Sequence, residues 1–561
     1  MKIAGWQKGA AIVLTLALLA TVLAGCGTSA PSGSSAASAG KPVTGGTIRL
    51  DMNMNFKDLD PAKAYDTASY EITEQLYDRL VTYKGTTSEI VPMVAKSWDI
   101  SQDGKTYTFH LHKNVKFWNG DPVTAQSFID EFQRVLDPAI GSGGEGFIDP
   151  IVVGSTAYNK GQAKTVAGLF APDPDTLVVK LTQPEPFFLN VVAMPFFSAV
   201  DQKFIDKVGN QAFDTKDAMG SGPFELQSYS TSEAVLTRNH DYFMVDQYGN
   251  HLPYLNKVIL TVNTDDQLDG MHFENGQTAF MGWNMGGDIP SSLYPKFLSD
   301  PTLKKDIVTE PQNATYYLGL NNKMKPFNTP LVRQAVEYAI DKQEILKLMN
   351  NRFIAADQPL PPGIEGYVKH LAPDATYTYD PDKARQLLAE AGYKDGFTTT
   401  LYSDNQVDDK KIDAAVQSML QNVGITVKID AMDWNSFLAL NEKGQTPFFQ
   451  LAWTQDFPDA SDFLNTLFNT NQQPMNNATM YSNPQVDAWL NQAQTMPNDA
   501  ARFQIYKQVT NQIMKDADWV PMYYGNSIFA VQPWVHGFYI NATLMDPLQY
   551  IWIDQSHSAN S

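Results

Sequence analysis

Three short stretches carry residue types that could do chemistry. Asp51, Asn53 and Asn55 have the spacing that opens a calcium loop, but Phe56 stands in place of its glycine and Ala62 in place of its final glutamate. That stretch reads as a strand. Gly141-Ser142-Gly143-Gly144-Glu145-Gly146 satisfies G-x-G-x-x-G letter by letter. It follows the Asp137-Pro138 stop of a helix instead of a strand, so the setting in which a pyrophosphate is held is missing. His110 and His112 share a strand face and lack a third ligand nearby; with eight histidines scattered along the chain, the pair reads as structural. H-E-x-x-H, G-x-S-x-G and G-x-x-x-x-G-K-[ST] are all absent, and nothing argues for an enzyme or a cofactor.

The elements that must position any site are clearer. Residues 47–52 read as a first strand, and residues 69–83 as a helix with Ile72, Leu76 and Leu80 on one side. Residues 106–111 and 176–181 read as strands, with a helix over 124–136 between them. Thr329-Pro330 and Asp380-Pro381 each place a cap before a proline at the first helical position. After the second, the pattern runs strand (398–402), helix (409–423), strand (425–429), short helix (434–441), strand (448–453). Such alternation implies right-handed crossovers and a largely parallel sheet, whose ligands collect at the carboxyl ends of the strands. The residues just after Trp453 are therefore where a site is sought.

The N-terminus sets the compartment. Lys2 and Lys8 precede an uncharged stretch over 10–24. Its fifteen residues reach only about 22 Å as a helix, short of a ~30 Å hydrocarbon core, which describes a secretory signal and not a span. Leu23-Ala24-Gly25-Cys26 resembles a bacterial lipobox, in which the cysteine thiol is lipidated after cleavage. Cys26 is the single cysteine, so stability comes from packing without a disulfide. Residues 27–46 are mostly Gly, Ser, Ala, Thr and Pro, a flexible tether that cannot form a core. A net charge of −20 argues against nucleic acid or anionic lipid as partners.

Several segments carry a resemblance. Residues 90–98, Ile-Val-Pro-Met-Val-Ala-Lys-Ser-Trp, lead into Asp103-Gly104-Lys105-Thr106-Tyr107 and then Val115-Lys116-Phe117-Trp118-Asn119-Gly120-Asp121. With Gly222-Pro223-Phe224, Arg333-Gln334-Ala335, residues 384–393 and Val520-Pro521-Met522-Tyr523-Tyr524, they resemble the family 5 (cluster C) extracellular solute-binding proteins, in order from about residue 46 to the end. The chain is most similar to the oligopeptide- and dipeptide-binding type that serves ABC importers. The resemblance implies an α/β, two-lobed periplasmic-binding-protein-like fold (type II, cluster C) with an extra domain, mixed sheets flanked by helices, and a hinge between lobes. It implies a signal over 1–25, a tether over 26–45, domain I from 46–88, 215–312 and 525–561, domain II over 89–214, and domain III over 313–524. The resemblance also implies lobes that close on a short peptide, an ABC permease that reads the closed form, and a lipid-anchored monomer on the extracytoplasmic face.

In peptide-binding relatives the aspartate three places after the motif tryptophan pairs with the ligand's α-amine, and Asp456 in Trp453-Thr454-Gln455-Asp456 matches it. Charge-assisted pairing of that kind gains strength where water is excluded. The resemblance implies a peptide lying extended between Tyr65-Asp66-Thr67 and Ala452-Trp453-Thr454, held by backbone hydrogen bonds, with Phe147 near the position of a family aromatic that lines the cleft. Trp453 either walls a pocket or belongs to the core. One departure matters: where relatives hold a ligand carboxylate with a basic residue, this chain has Gln450 and the loop Tyr402-Ser403-Asp404-Asn405. Lys443 and Arg352 are the candidate substitutes. The competing functions are a non-peptide solute on the same scaffold (an oligosaccharide or metal chelate) and a peptide sensor or surface chaperone.

Overall fold

The structure is a computed structural model. It describes residues 41–53, 56–283, 288–496, 499–541, 543 and 547–558. Cys26 and the signal and tether expected before residue 41 lie outside the described residues, as does Asn55. Val43–Ser561 forms one compact unit.

Three larger sheets organise that unit among the described residues, beside two two-stranded ones. In the first, Thr47–Met52 runs parallel to Lys257–Val262, followed by Glu233–Arg238 and Phe224–Ser230 in antiparallel order. The second is an antiparallel sheet of Ala95–Ile100, Thr106–Leu111, Thr176–Lys180 and Leu169–Asp173. Each alternates apolar residues into its own core, around Leu50 and Val258 in one and Phe109 and Leu177 in the other.

The third sheet has seven strands, in the order Phe280–Met281, Trp519–Val531, Ile307–Leu320, Phe448–Thr454, Phe397–Asp404, Ile425–Met432, with Ile354–Ala355 against Trp519–Val531. The last three strands along that order are parallel, as the strand–helix alternation requires. The rest of the sheet is antiparallel, which corrects the expectation of a largely parallel one. The reason is topological. Ile307–Leu320 carries the chain into the parallel region and Trp519–Val531 carries it out, so two neighbouring strands must run in opposite directions. Their pairing breaks between Pro311 and Thr315: Pro311 faces Asn526 and Thr315 faces Tyr524, so three residues stand opposite Gly525 alone.

Both faces of this sheet are covered. Leu318, Leu401 and Phe448 pack on helix residues Val336, Ile412 and Val416. On the other face Tyr317, Phe449 and Trp519 pack on Phe463, Leu467 and Val509, with the Tyr317 ring stacked on Trp519. The chain is thus an α/β protein of mixed sheets in a two-lobed arrangement.

The helix expected over 69–83 spans only Thr67–Leu76. Two distant partners end it: the Gly222 N–H donates to the Leu76 carbonyl at 2.9 Å, and Val81–Tyr83 is taken as a strand by Ile90–Pro92.

Candidate functional site

The strand Phe448–Thr454 has two neighbours only along its first part. Phe448 and Phe449 pair with Leu401 and Tyr402 on one side, after which those two strands part. On the other side pairing with Ile307–Leu320 continues to Ala314↔Thr454. Residues 451–454 therefore present an open backbone edge, with no ladder partner among the described residues on the Phe397–Asp404 side. Ala452, Trp453 and Thr454 lie on that edge, half-buried.

The loop beyond it is held rigidly. Asp462, 1% exposed in the helix Ala460–Phe468, accepts the Trp453 indole N–H and the Asp456 backbone N–H, each at 3.1 Å on Oδ2. Asp459 caps the same helix, accepting from the Ser461 N–H at 2.8 Å. Its two oxygens take the buried Arg502 guanidinium at 2.8 and 2.7 Å, a planar fork on a planar acceptor. Trp453 thus packs beside the core and also orients an acid.

Asp456 is half-buried, and its Oδ1 accepts the Tyr65 hydroxyl at 3.0 Å. Burial pushes the Asp456 carboxyl up to about 6, and the Tyr65 hydrogen bond opposes that rise. Burial and then the nearness of Asp456 push Asp462 well above the ordinary carboxylate range. Two carboxyl groups in one small volume favour holding a single proton between them. A bound ammonium is the natural replacement for that proton.

Tyr65 stands just before the helix Thr67–Leu76, whose N-cap Asp66 accepts from the Ser69 N–H at 3.0 Å. Thr67 contributes the first helical backbone position. The Tyr65 residue is 47% exposed, with its ring 5.2 Å from that of Phe196. The G-x-G-x-x-G stretch has its use here. A Cβ on Gly143 would lie 2.8 Å from Tyr65 Cδ1, and one on Gly144 2.7 Å from Phe196 Cγ, so only bare backbone fits against these rings. Phe147 packs 6.3 Å from Phe196 and edge-on to Phe457 at 6.4 Å; Phe457 also stacks on Phe187 at 5.5 Å. Tyr65 and Phe147 are thereby brought against Asp456 and its neighbour Phe457.

The expected carboxylate holders lie otherwise. Arg352 is occupied: Nη1 sits 2.8 Å from Asp288 Oδ1 and Nη2 2.9 Å from Asp408 Oδ2. Lys443 is exposed, five residues before the strand begins, at the end of the sheet opposite Asp456. Gln450 donates to Asp409 Oδ1 at 2.6 Å. His110 lies 2.9 Å from Asp99 and His112 packs near Phe243. Among the described residues no group of three or more metal-ligating side chains could hold a metal ion.

Sequence reasoning missed Asp462, Phe196 and Phe457. The first had a signal, since Trp453, Asp456, Asp459 and Asp462 recur at every third position. The two phenylalanines, both buried in a core cluster here, had none.

The sequence profile of the bacterial extracellular solute-binding proteins, family 5 Middle, matches residues 89–475. The chain is 28% identical over 567 residues to dipeptide-binding protein DppE of Bacillus subtilis, covering 98% of this chain and 99% of that protein. It is 27% identical over 544 residues to heme-binding protein A of Haemophilus influenzae, covering 94% and 96%. Among solved structures, the ABC transporter-associated periplasmic binding protein DppA from Helicobacter pylori in complex with peptide STSA superimposes with a TM-score of 0.76 at 26% identity, covering 91% of this chain and 99% of that one.

Proposed function

The chain belongs to the bacterial extracellular solute-binding proteins of family 5, and from that premise we propose that it captures short peptides between its lobes and passes them to the permease of an ABC importer. It is a binding protein, not an enzyme. One observation carries the peptide reading: the open backbone edge over 451–454 ends beside a half-buried carboxylate at Asp456. An extended peptide completes the first by strand addition and supplies an ammonium to the second. Tyr65 and Phe147 from the facing side, with Thr67 just beyond, close over the ligand. The DppE likeness and the peptide-bound DppA structure support the same reading.

The domain boundaries proposed are those given above. The pairing break at Pro311/Thr315 opposite Gly525 is offered as the hinge, because a bulged ladder bends more readily than a regular one. Anchoring through a lipidated Cys26 holds the body at the extracytoplasmic face of the membrane, as a monomer.

The likeness to a heme-binding protein favours a second reading, a non-peptide solute such as a metal chelate on the same scaffold. Native mass spectrometry of whatever co-purifies, followed by thermal unfolding with peptide mixtures, haemin and oligosaccharides, separates the two. A ligand at 100 times its Kd adds about 2.7 kcal/mol. Peptides raising the midpoint supports the first reading; haemin or sugars alone raising it overturns it.

A further inference from the structure

Gln450 lies four residues, about 13 Å, back along its strand from Thr454, the length of a short extended peptide. Its side-chain N–H donates to Asp409 Oδ1, while its Oε1 is buried and has no hydrogen-bond partner among the described residues. Asp409 stands in the first turn of the helix Val407–Gln421, partly open to solvent. Asp404, at the carboxyl end of its strand, is close enough to raise the Asp409 pKa, as are Asp408 and Asp413. Burial and then these acids push Asp409 up to about 7.

Two cations of this neighbourhood are already used. Arg352 is shared between Asp288 and Asp408, and Lys411 lies 2.8 Å from Asp408. Among the described residues neither Asp404 nor Asp409 has an ion-pair partner. Asp404 Oδ1 accepts the Asn405 N–H and Asp409 Oδ1 the Gln450 amide, which leaves Asp404 Oδ2, Asp409 Oδ2 and the buried Gln450 Oε1 as acceptors close to one another. At these three oxygens a ligand carboxylate, being acceptor-only, finds no donor, whereas a lysine ammonium or an arginine guanidinium is donor-only and matches them.

Resting on the peptide reading above, we propose that this end of the crevice binds a cationic side chain, Lys or Arg at the third or fourth residue of the peptide, received by Asp409, Asp404 and Gln450 Oε1. The protein then prefers basic peptides and leaves the ligand's terminal carboxylate to solvent. The preference comes from acceptors left without donors, and the strongly acidic overall charge would add only a diffuse attraction.

Calorimetric titration of the purified protein with alanine tetrapeptides tests this, the third or fourth residue being lysine, its uncharged isostere norleucine, or glutamate. Lysine is expected to bind about tenfold or more tighter than norleucine, as a charge-assisted bond requires, and glutamate more weakly than either. Asp409→Asn should bring the lysine-to-norleucine ratio close to one. Peptides that bind with no lysine preference overturn this inference and leave the peptide reading standing. So does a preference that survives in both Asp409→Asn and Asp404→Asn. Failure of every peptide to bind overturns both. The ratio in the unaltered protein is decisive on its own, so a variant that does not fold cannot blur the answer.

Discussion

The Tyr65 hydroxyl donates to Asp456 Oδ1 at 3.0 Å, a bond between residues 391 positions apart in the chain. It joins the residue two places before the helix Thr67–Leu76 to the loop after the Phe448–Thr454 strand. A half-buried carboxylate is costly unless a donor faces it, and here a neutral hydroxyl occupies the place that a ligand's ammonium is proposed to take. Asp456→Asn keeps the shape and removes the charge. Free-amine peptides should then bind about tenfold to a hundredfold more weakly, the worth of a charged hydrogen bond, while N-acetylated peptides change little. Equal losses for both peptide types in calorimetry would remove Asp456 from amine recognition.

Acidity should act on folding and on binding in opposite directions. The groups facing Asp456 are the Tyr65 hydroxyl, the buried Tyr70 and Asp462; Asp459, beyond Asp462, is paired with Arg502. Burial raises the Asp456 carboxyl from 3.8 to about 6, so its ionised form costs stability at neutral pH, and that cost is relieved as pH falls from above 6 toward 3.8. Binding needs the ionised form. Peptide affinity should therefore hold level between pH of about 6 and about 8, where the α-amine begins to lose its own proton, and fall by up to about tenfold per unit below that window. Titration calorimetry from acid to neutral checks the profile, with Asp456→Asn expected to be flat on the acid side. A wild-type profile equally flat there would rule out a proton held at this carboxylate.

Gly144 and Gly146 lie two residues apart and should respond differently to the same change. An alanine Cβ at 144 meets Phe196 Cγ at 2.7 Å, and Phe196 is wholly buried, so the ring cannot swing clear. At 146 nothing lies within 4 Å. Gly144→Ala should cost about 1–3 kcal/mol by overpacking, and shift the Tyr65 ring that rests on Phe196. Gly146→Ala should stay within about 0.5 kcal/mol of the parent. Urea unfolding of the two variants side by side gives the comparison, and similar midpoints would contradict the close approach.

What could be read from residues alone follows from where each signal lies. The helices after Thr329 and Asp380 and the strands at 398, 425 and 448 carry local periodicity and local caps, and the structure contains them all. The helix predicted to reach residue 83 fails because its end is decided by Gly222 and by Ile90–Pro92, which no window around Leu76 contains. Asp456 comes from the resemblance, which places it three residues after Trp453, and the structure sets it against the Tyr65 hydroxyl. Asp462 was written in the same three-residue spacing, but its part depends on burial, which only packing creates. Phe196 and Phe457 read like any core phenylalanine, and only packing shows that they sit beside Tyr65 and Phe147. Arg352 offered a charge to a ligand on paper; Asp288, 64 positions earlier, and Asp408, 56 later, had already claimed it.

Arg502 and Asp459 decide whether the loop holding Asp456 keeps its shape. Both are buried, the guanidinium meets both carboxylate oxygens, and Arg502 also reaches Asp499 at 2.9 Å. Arg502→Met removes one partner and leaves Asp459 with only the Ser461 donors, so a buried charge loses its compensation. Such a break costs about 3–5 kcal/mol, whereas exchanging both partners for neutral groups costs much less. Arg502→Met combined with Asp459→Asn should therefore recover a good part of the loss, because the amide has no charge to desolvate and can still meet Ser461. A double-mutant cycle by urea unfolding measures the coupling, and strictly additive losses would mean that the pair contributes packing alone. Peptide affinity adds a second readout. Since Asp459 caps the helix that carries Asp462, and Asp462 holds the Asp456 backbone, Arg502→Met should weaken binding of free-amine peptides even at temperatures where the variant remains folded.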